Sequence, residues 1–198
     1  LNLYYTMSPL SIVITIVVIV FIFMLLRYIF VDPYTLQSIQ SAQTASTINA
    51  SSLATNGSSV PSSNFAYSVW FYINDWNYRY GESKVIFGRM GSSSGTEKGS
   101  IPGVSGLDPC PAVVLGAVEN NLDISIGCYP GIDQEPTTAG GSTVVHTCSV
   151  ANVPIQKWVN LVVSVYGRSM DIYIDGKLVR TCLLPGVASV NNNANVYV

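Results

Sequence analysis

WVNLVVSVYGRSMDIYIDGKLVRTCLL, residues Trp158–Leu184, spells three consecutive strands, and the rest of the chain is read outward from it. In the first strand Val159, Leu161, Val163 and Val165 fall on one face, while Asn160 and Ser164 fall on the other. That is the period of two of a half-buried strand. The second and third strands meet at Asp175-Gly176, a dipeptide that tolerates the positive φ angles of a two-residue hairpin turn. Pairing about this turn predicts Ile172 opposite Val179 on the core face. It also sets Asp171 opposite Arg180 on the other face, where opposite charges attract. Trp158, beside Val159, is expected to be buried against the sheet.

A Trp opening a V-x-L-V-V-S-V strand, followed by DIYIDGKLV, resembles the laminin-G type of the concanavalin A-like lectin/glucanase superfamily. FAYSVWFYINDWNYRYGESKVIFGR (Phe65–Arg89) and VPIQKWVNLVVSVYGR (Val153–Arg168) are similar to superfamily proteins of large DNA viruses, in which such a domain follows a membrane anchor. The resemblance covers roughly Phe65 to Val198. It implies an all-β fold, a two-sheet antiparallel jelly-roll sandwich, preceded here by one N-terminal transmembrane helix.

Composition agrees with that class. Only 10% of residues are charged and the net charge is -2, so no basic field exists to attract nucleic acid. Twelve Tyr, sixteen Gly and ten Pro, with little helical periodicity after residue 65, argue for β structure.

The expected organisation is a short N-terminal segment (1–8), a transmembrane helix (9–31), a Ser/Thr/Asn-rich linker (32–64) and a jelly-roll domain (65–198), expected either to continue beyond Val198 or to have its open edge covered by a partner. Leu10 to Leu26 carries no charge, and Pro9 to Val31 is long enough to span a hydrocarbon core of roughly 30 Å. In water its run of β-branched residues would oppose a helix; in lipid the backbone must satisfy its own hydrogen bonds, so a helix is expected. Tyr4, Tyr5 and Tyr28 stand where interfacial aromatics belong, and Arg27 alone would place the β domain on the cytoplasmic side. The uncharged linker reads as a flexible tether, with N-glycosylation sequons at Asn49 and Asn56.

Phe65 to Ile73 has two apolar faces, as a central sandwich strand would. Lys84–Arg89, Pro111–Ala117, Leu122–Cys128 and Thr143–Val150 are the next strands, and Asn195 to Val198 reads as a further strand whose edge needs a cover.

The superfamily's glucanases carry two Glu flanking an Asp on one strand, E-x-D-x-x-E. Here Glu82, Glu97, Glu119 and Glu135 are isolated, and Asp133-Gln134-Glu135 lacks a second Glu. No enzyme, catalytic residue, metal or cofactor is therefore expected. The lone His146 lies in a strand pattern and reads as a packed or surface imidazole. Asp75, Asn77, Asp108, Asn120 and Asn121 are loop oxygens hard enough for calcium, but no D-x-D-x-D spacing organises them. The loop Trp76, Tyr78, Arg79, Tyr80 is the candidate contact for a protein partner or a glycan.

Four cysteines, Cys110, Cys128, Cys148 and Cys182, lack a C-x-x-C pair. A turn centred on Glu119-Asn120 brings Cys110 opposite Cys128 within one residue of register, so that pair is the favoured disulfide, leaving Cys148 with Cys182. Four small buried hydrophobes are the alternative. The functional expectation is a non-enzymatic structural protein of a large DNA virus, a minor capsid or virion membrane protein. It would sit in the internal membrane beneath the capsid, with the lipid bilayer and capsid or other virion proteins as partners. A membrane-anchored lectin binding glycans is the alternative, and a glycoside hydrolase a weaker one.

Overall fold

The computed structural model describes residues 8–30, 34–53, 62–91, 101, 104, 106–137 and 140–198. The chain divides into two compact units, Leu1–Ile39 and Gln40–Val198. The first holds α1 (Pro9–Phe30), 22 residues with no buried side chain. Ser8 caps it, its hydroxyl accepting from the Ser11 amide at 3.3 Å, and Pro9 occupies the first helical position, where a missing N–H costs nothing. At 1.5 Å per residue α1 is about 33 Å long, long and apolar enough to cross a membrane. Tyr4 and Tyr5 lie outside the described residues.

The second unit is a sandwich of two antiparallel sheets. Its strands are β1 (Thr47–Ile48), β2 (Phe65–Tyr72), β3 (Lys84–Arg89), β4 (Ala112–Leu115), β5 (Leu122–Cys128), β6 (Val144–Val150), β7 (Trp158–Tyr166), β8 (Ser169–Ile174), β9 (Lys177–Leu183) and β10 (Val196–Tyr197). One sheet runs β1-β10-β3-β4-β5-β6 and the other β2-β7-β8-β9. Between them lie Leu122, Ile124 and Ile126 of β5 and Leu161, Val163 and Val165 of β7, with Met170 and Ile172 of β8, all essentially inaccessible. Alternation along each strand delivers these residues to one face. The far face of the six-stranded sheet is also covered, by Met90 and Ile101 over Ala112 and Val114.

Several expectations are corrected. At the hairpin, Asp175 (φ 49°) and Gly176 (φ 75°) form the two-residue turn, and Tyr173 pairs with Leu178. A bulge then shifts the register, setting Ile172 opposite Arg180 and Asp171 opposite Thr181. One extra residue in β9 displaces every later pair, so the Asp171/Arg180 pairing is not made. Arg180 instead donates to the Ser149 carbonyl of β6 at 2.6 Å.

β2 is an edge strand rather than a central one. Its inward residues Phe65, Tyr67, Val69 and Phe71 pack on the core, while Ala66, Ser68, Trp70 and Tyr72 face out. Trp158 is likewise out of phase with Val159, and it stands 48% exposed against the Tyr72 ring at 5.7 Å. The linker is not wholly a tether, since Ile48 is buried, β1 pairs with β10, and a 3-10 turn follows at Ala50–Leu53. β10 thus lies between β1 and β3, so residues before the expected sandwich cover the edge for which a further strand beyond Val198 or a partner was expected.

Of the two expected disulfides, Cys110–Cys128 is not made and Cys148–Cys182 is. Leu115 pairs with Leu122 and Ala112 with Ser125, so the β4–β5 turn is centred one residue earlier than expected. That slip brings Pro109 to the end of β5, where its carbonyl accepts from Gly127 N, while Cys110 N turns to the Arg89 carbonyl. Cys110 and Cys128 are free, buried thiols. Burial pushes the Cys110 thiol up to about 11 and raises that of Cys128. Cys148 and Cys182 form a disulfide with Cα atoms 6.4 Å apart. It joins β6, the edge of one sheet, to β9, the edge of the other.

Candidate binding site at one rim of the sandwich

Three connections meet at one end of the sandwich: the β2–β3 loop, the β4–β5 loop and the β6–β7 loop. In the first, the Asp75 carboxylate accepts from Asn77 N at 2.8 Å and the Asn77 carbonyl from Tyr80 N at 3.1 Å, a local fold that Asp and Asn favour. Arg79 adopts φ 51° and pairs with the carboxylate of Glu82. Gly81 N donates to the Ala117 carbonyl at 3.0 Å, which fastens this loop to the β4–β5 loop. Trp76 Nε1 donates to the Val118 carbonyl at 3.3 Å, and the Lys84 ammonium lies 5.3 Å from the centre of the Trp76 ring.

The β4–β5 loop is fastened in turn to the β6–β7 loop. Asn120 Nδ2 donates to the Val153 carbonyl, and Val153 N donates back to the Asn120 carbonyl. Gln156 N donates to the Ile73 carbonyl, closing the ring of loops. Asn152 and Gln156 hold positive φ, as Arg79 does. Three non-glycine residues in this region at one rim mean that tertiary contacts impose the backbone there.

The loops enclose an open cleft of about 430 Å³, lined by Trp76, Val118, Asn120, Asn121, Asn152 and Ile155 with Glu119 and Ala151. Its wall is apolar and aromatic, and its polar groups are amides plus the Glu119 carboxylate. Asn121 Oδ1 is buried with no hydrogen-bond partner among the described residues. It occupies the space above Gly116, where a Cβ would lie 1.7 Å from it.

The structure divides the expected contact loop. Trp76 is half-buried and packs on the core, so it holds the rim together, whereas Tyr78 and Tyr80 are exposed. The oxygens considered for calcium do not converge: Asp75 closes its own turn, Asn120 ties two loops, and Asp108 lies elsewhere. The Asp108 carboxylate accepts from the amides and hydroxyls of Ser142 and Thr143 at 2.7–3.1 Å. Burial would raise its pKa, but these donors outweigh that and hold it below the ordinary value. No group of His, Cys, Asp and Glu suited to a metal occurs among the described residues. Glu82 is ion-paired, Glu119 sits at the cleft and Glu135 on a separate loop, while Glu97 lies outside the described residues. His146 is half-buried in β6 opposite Ile126. Asn49 is exposed just before the 3-10 turn; Asn56 lies outside the described residues.

Sequence reasoning missed the part played by Asn120, Asn121 and Asn152. Asn120-Asn121 in the β4–β5 connection was visible, but only the fold shows that it meets the β6–β7 loop.

A comparison with curated proteins finds no match. Among solved structures, the binding domain of botulinum neurotoxin DC in complex with rat synaptotagmin II aligns at 14% identity with a TM-score of 0.42. The alignment covers 68% of this chain and 27% of that one. A botulinum neurotoxin type C chain, from a structure titled for cell entry dependent on two ganglioside molecules, aligns at 16% identity over 68% of this chain and 26% of its own (TM-score 0.41). The alginate lyase AlyC3 aligns at 16% identity over 67% of this chain and 60% of its own (TM-score 0.36). This chain therefore spans about a quarter of the toxin chains. The sequence profile of the concanavalin A-like lectin/glucanase superfamily, laminin-G type, matches residues 46–198. With most of its length so matched, on a two-sheet antiparallel sandwich, the chain belongs to the concanavalin A-like lectin/glucanase superfamily.

Proposed function

We propose that this protein is a non-enzymatic, single-pass membrane protein of a large DNA virus, a minor capsid protein whose sandwich head contacts the capsid shell from the internal membrane. The observation that carries it is α1: 22 residues, overwhelmingly apolar, with no side chain buried in protein, so that a bilayer is the environment that matches their chemistry. The viral part rests on the likeness of Phe65–Arg89 and Val153–Arg168 to anchored proteins of such viruses. Tyr78 and Tyr80, exposed on a rim fixed by its own hydrogen bonds, are the proposed contact with the shell. Exposed tyrosines on a rigid loop offer large contact area at low entropy cost. A photo-crosslinking residue at Tyr80 in assembled particles tests this: capture of a shell protein is expected, and capture of lipid or nothing would refute it.

The rim cleft favours a second reading, a membrane-anchored lectin. Trp76 beside Asn120, Asn121 and Asn152 combines an apolar wall with neutral hydrogen-bonding groups, a chemistry suited to an uncharged sugar. Glycan binding by the full chain that Asn152→Ala abolishes would favour this reading over the first.

A further inference from the structure

The outward face of the four-stranded sheet carries Trp70 (63% exposed), Tyr72, Trp158, Tyr166 (76%), Leu178 and Leu183 (74%). The pairing places them together. Tyr72 faces Trp158 across β2 and β7, Tyr173 faces Leu178 across β8 and β9, and Tyr166 and Leu183 flank Ser169 at the other end. The chain has three Trp, and two of them stand here. An apolar face of this extent on an antiparallel sheet that already has one core marks a contact surface.

We propose that this face is where two copies of the chain pack, sheet against sheet, about a two-fold axis. Area is the first argument. At these exposures the six side chains offer on the order of 800 Å², about what each partner of a standard interface contributes. Charge is the second. The carboxylate within the face, Asp171, is bonded to the Thr181 hydroxyl at 2.6 Å and lies within 3.5 Å of the Ser169 hydroxyl. Lys157 and Asp175 neutralise each other at one corner at 3.1 Å. Mid-face, Val162, Tyr173, Ser68 and Asn160 are uncharged, and Asn160 Nδ2 already donates to the Ser68 hydroxyl at 3.2 Å. Asp171 lies toward the Tyr166 end, so a two-fold axis near Val162 and Tyr173 keeps its two copies apart. Shape is the third argument, because twisted sheets of one hand pack aligned, face on face, at about 10 Å. The contact uses a different surface from the rim and stands whichever reading of the rim holds.

The test is the oligomeric state of the full chain in detergent micelles, by light scattering corrected for bound detergent. A concentration-dependent dimer is expected. Trp70→Ser together with Trp158→Ser should weaken it at least about 30-fold, since buried interface tryptophans are among the costliest to remove. Tyr166→Asn with Leu183→Gln is an independent second disruption, and thermal melts confirm that each variant folds. A monomeric wild type overturns the proposal. So does a dimer unchanged in both folded variants, which would place self-association in α1 or elsewhere. Recovery of a different protein or a glycan on this face, with the wild-type chain monomeric, overturns it as well.

Discussion

Reducing the Cys148–Cys182 bond should lower the stability of the sandwich by about 3 to 4 kcal/mol. The two cysteines are 34 residues apart. In the chain-entropy account a loop of that length, left open, returns about 3.8 kcal/mol of freedom to the unfolded chain at 25 °C. Both ends lie on edge strands of different sheets, so the link limits how far these two segments separate in the unfolded chain and adds little constraint to the folded one. Chemical reduction is a cleaner perturbation than substitution, because both side chains are buried and their removal would add cavity terms. The assay is urea unfolding of the full chain in detergent, followed by tryptophan fluorescence; all three Trp lie in the sandwich unit. Oxidised and reduced samples should differ in midpoint by that free energy divided by the urea slope, roughly 1 to 4 M, with peptide mapping to verify the bond. Equal midpoints with the bond present in one sample and absent in the other would refute the reasoning.

Other substitutions separate core from surface. Gly176→Val should destabilise by about 1 kcal/mol or more, because a β-branched residue is strained at φ 75°; an unchanged melting temperature would count against the turn. Trp158→Ala should cost only about 1 kcal/mol, since the ring is half exposed, whereas a loss of about 3 to 5 kcal/mol would mean that it is core. Asp108→Asn should cost about 2 to 3 kcal/mol at neutral pH by weakening its bonds from Ser142 and Thr143. The Asp108 carboxyl is held below its ordinary 3.8, so its contribution is present above that value and is lost as pH falls through the folded pKa. The gap between wild type and variant should therefore close below about pH 4; a constant gap from pH 6 to pH 2 would sink the assignment.

Much of the fold was legible because alternation is a local signal. β3 and β5 match their expected limits of Lys84–Arg89 and Leu122–Cys128, and the Asp175-Gly176 turn forms. Errors arose where a register depends on one residue. The bulge in β9 moves partners by one position and separates Asp171 from Arg180, whereas the β4–β5 turn, centred one residue earlier, moves them by two, so that Cys110 extrapolates to Gly127 and stays one residue, hence one sheet face, away from Cys128. β1 was hidden because two residues in a polar run carry no period; Ile48 is buried only through its pairing with β10. The outward aromatics were in the pattern all along. Trp70 and Tyr72 share phase with Ala66 and Ser68, and Trp158 with Asn160 and Ser164, and phase rather than hydrophobic type decides which face they take. The cleft was not legible, because it depends on three loops distant in sequence meeting at one rim.

Fractionation of purified particles tests the proposal that α1 holds the sandwich head to a viral membrane. After the shell is opened without detergent and the membranes are extracted with alkaline carbonate, the full chain is expected to stay with the lipid. A chain lacking residues 9–31 should be released. A full-length protein that washes into the soluble fraction, or one absent from the particles, would contradict it.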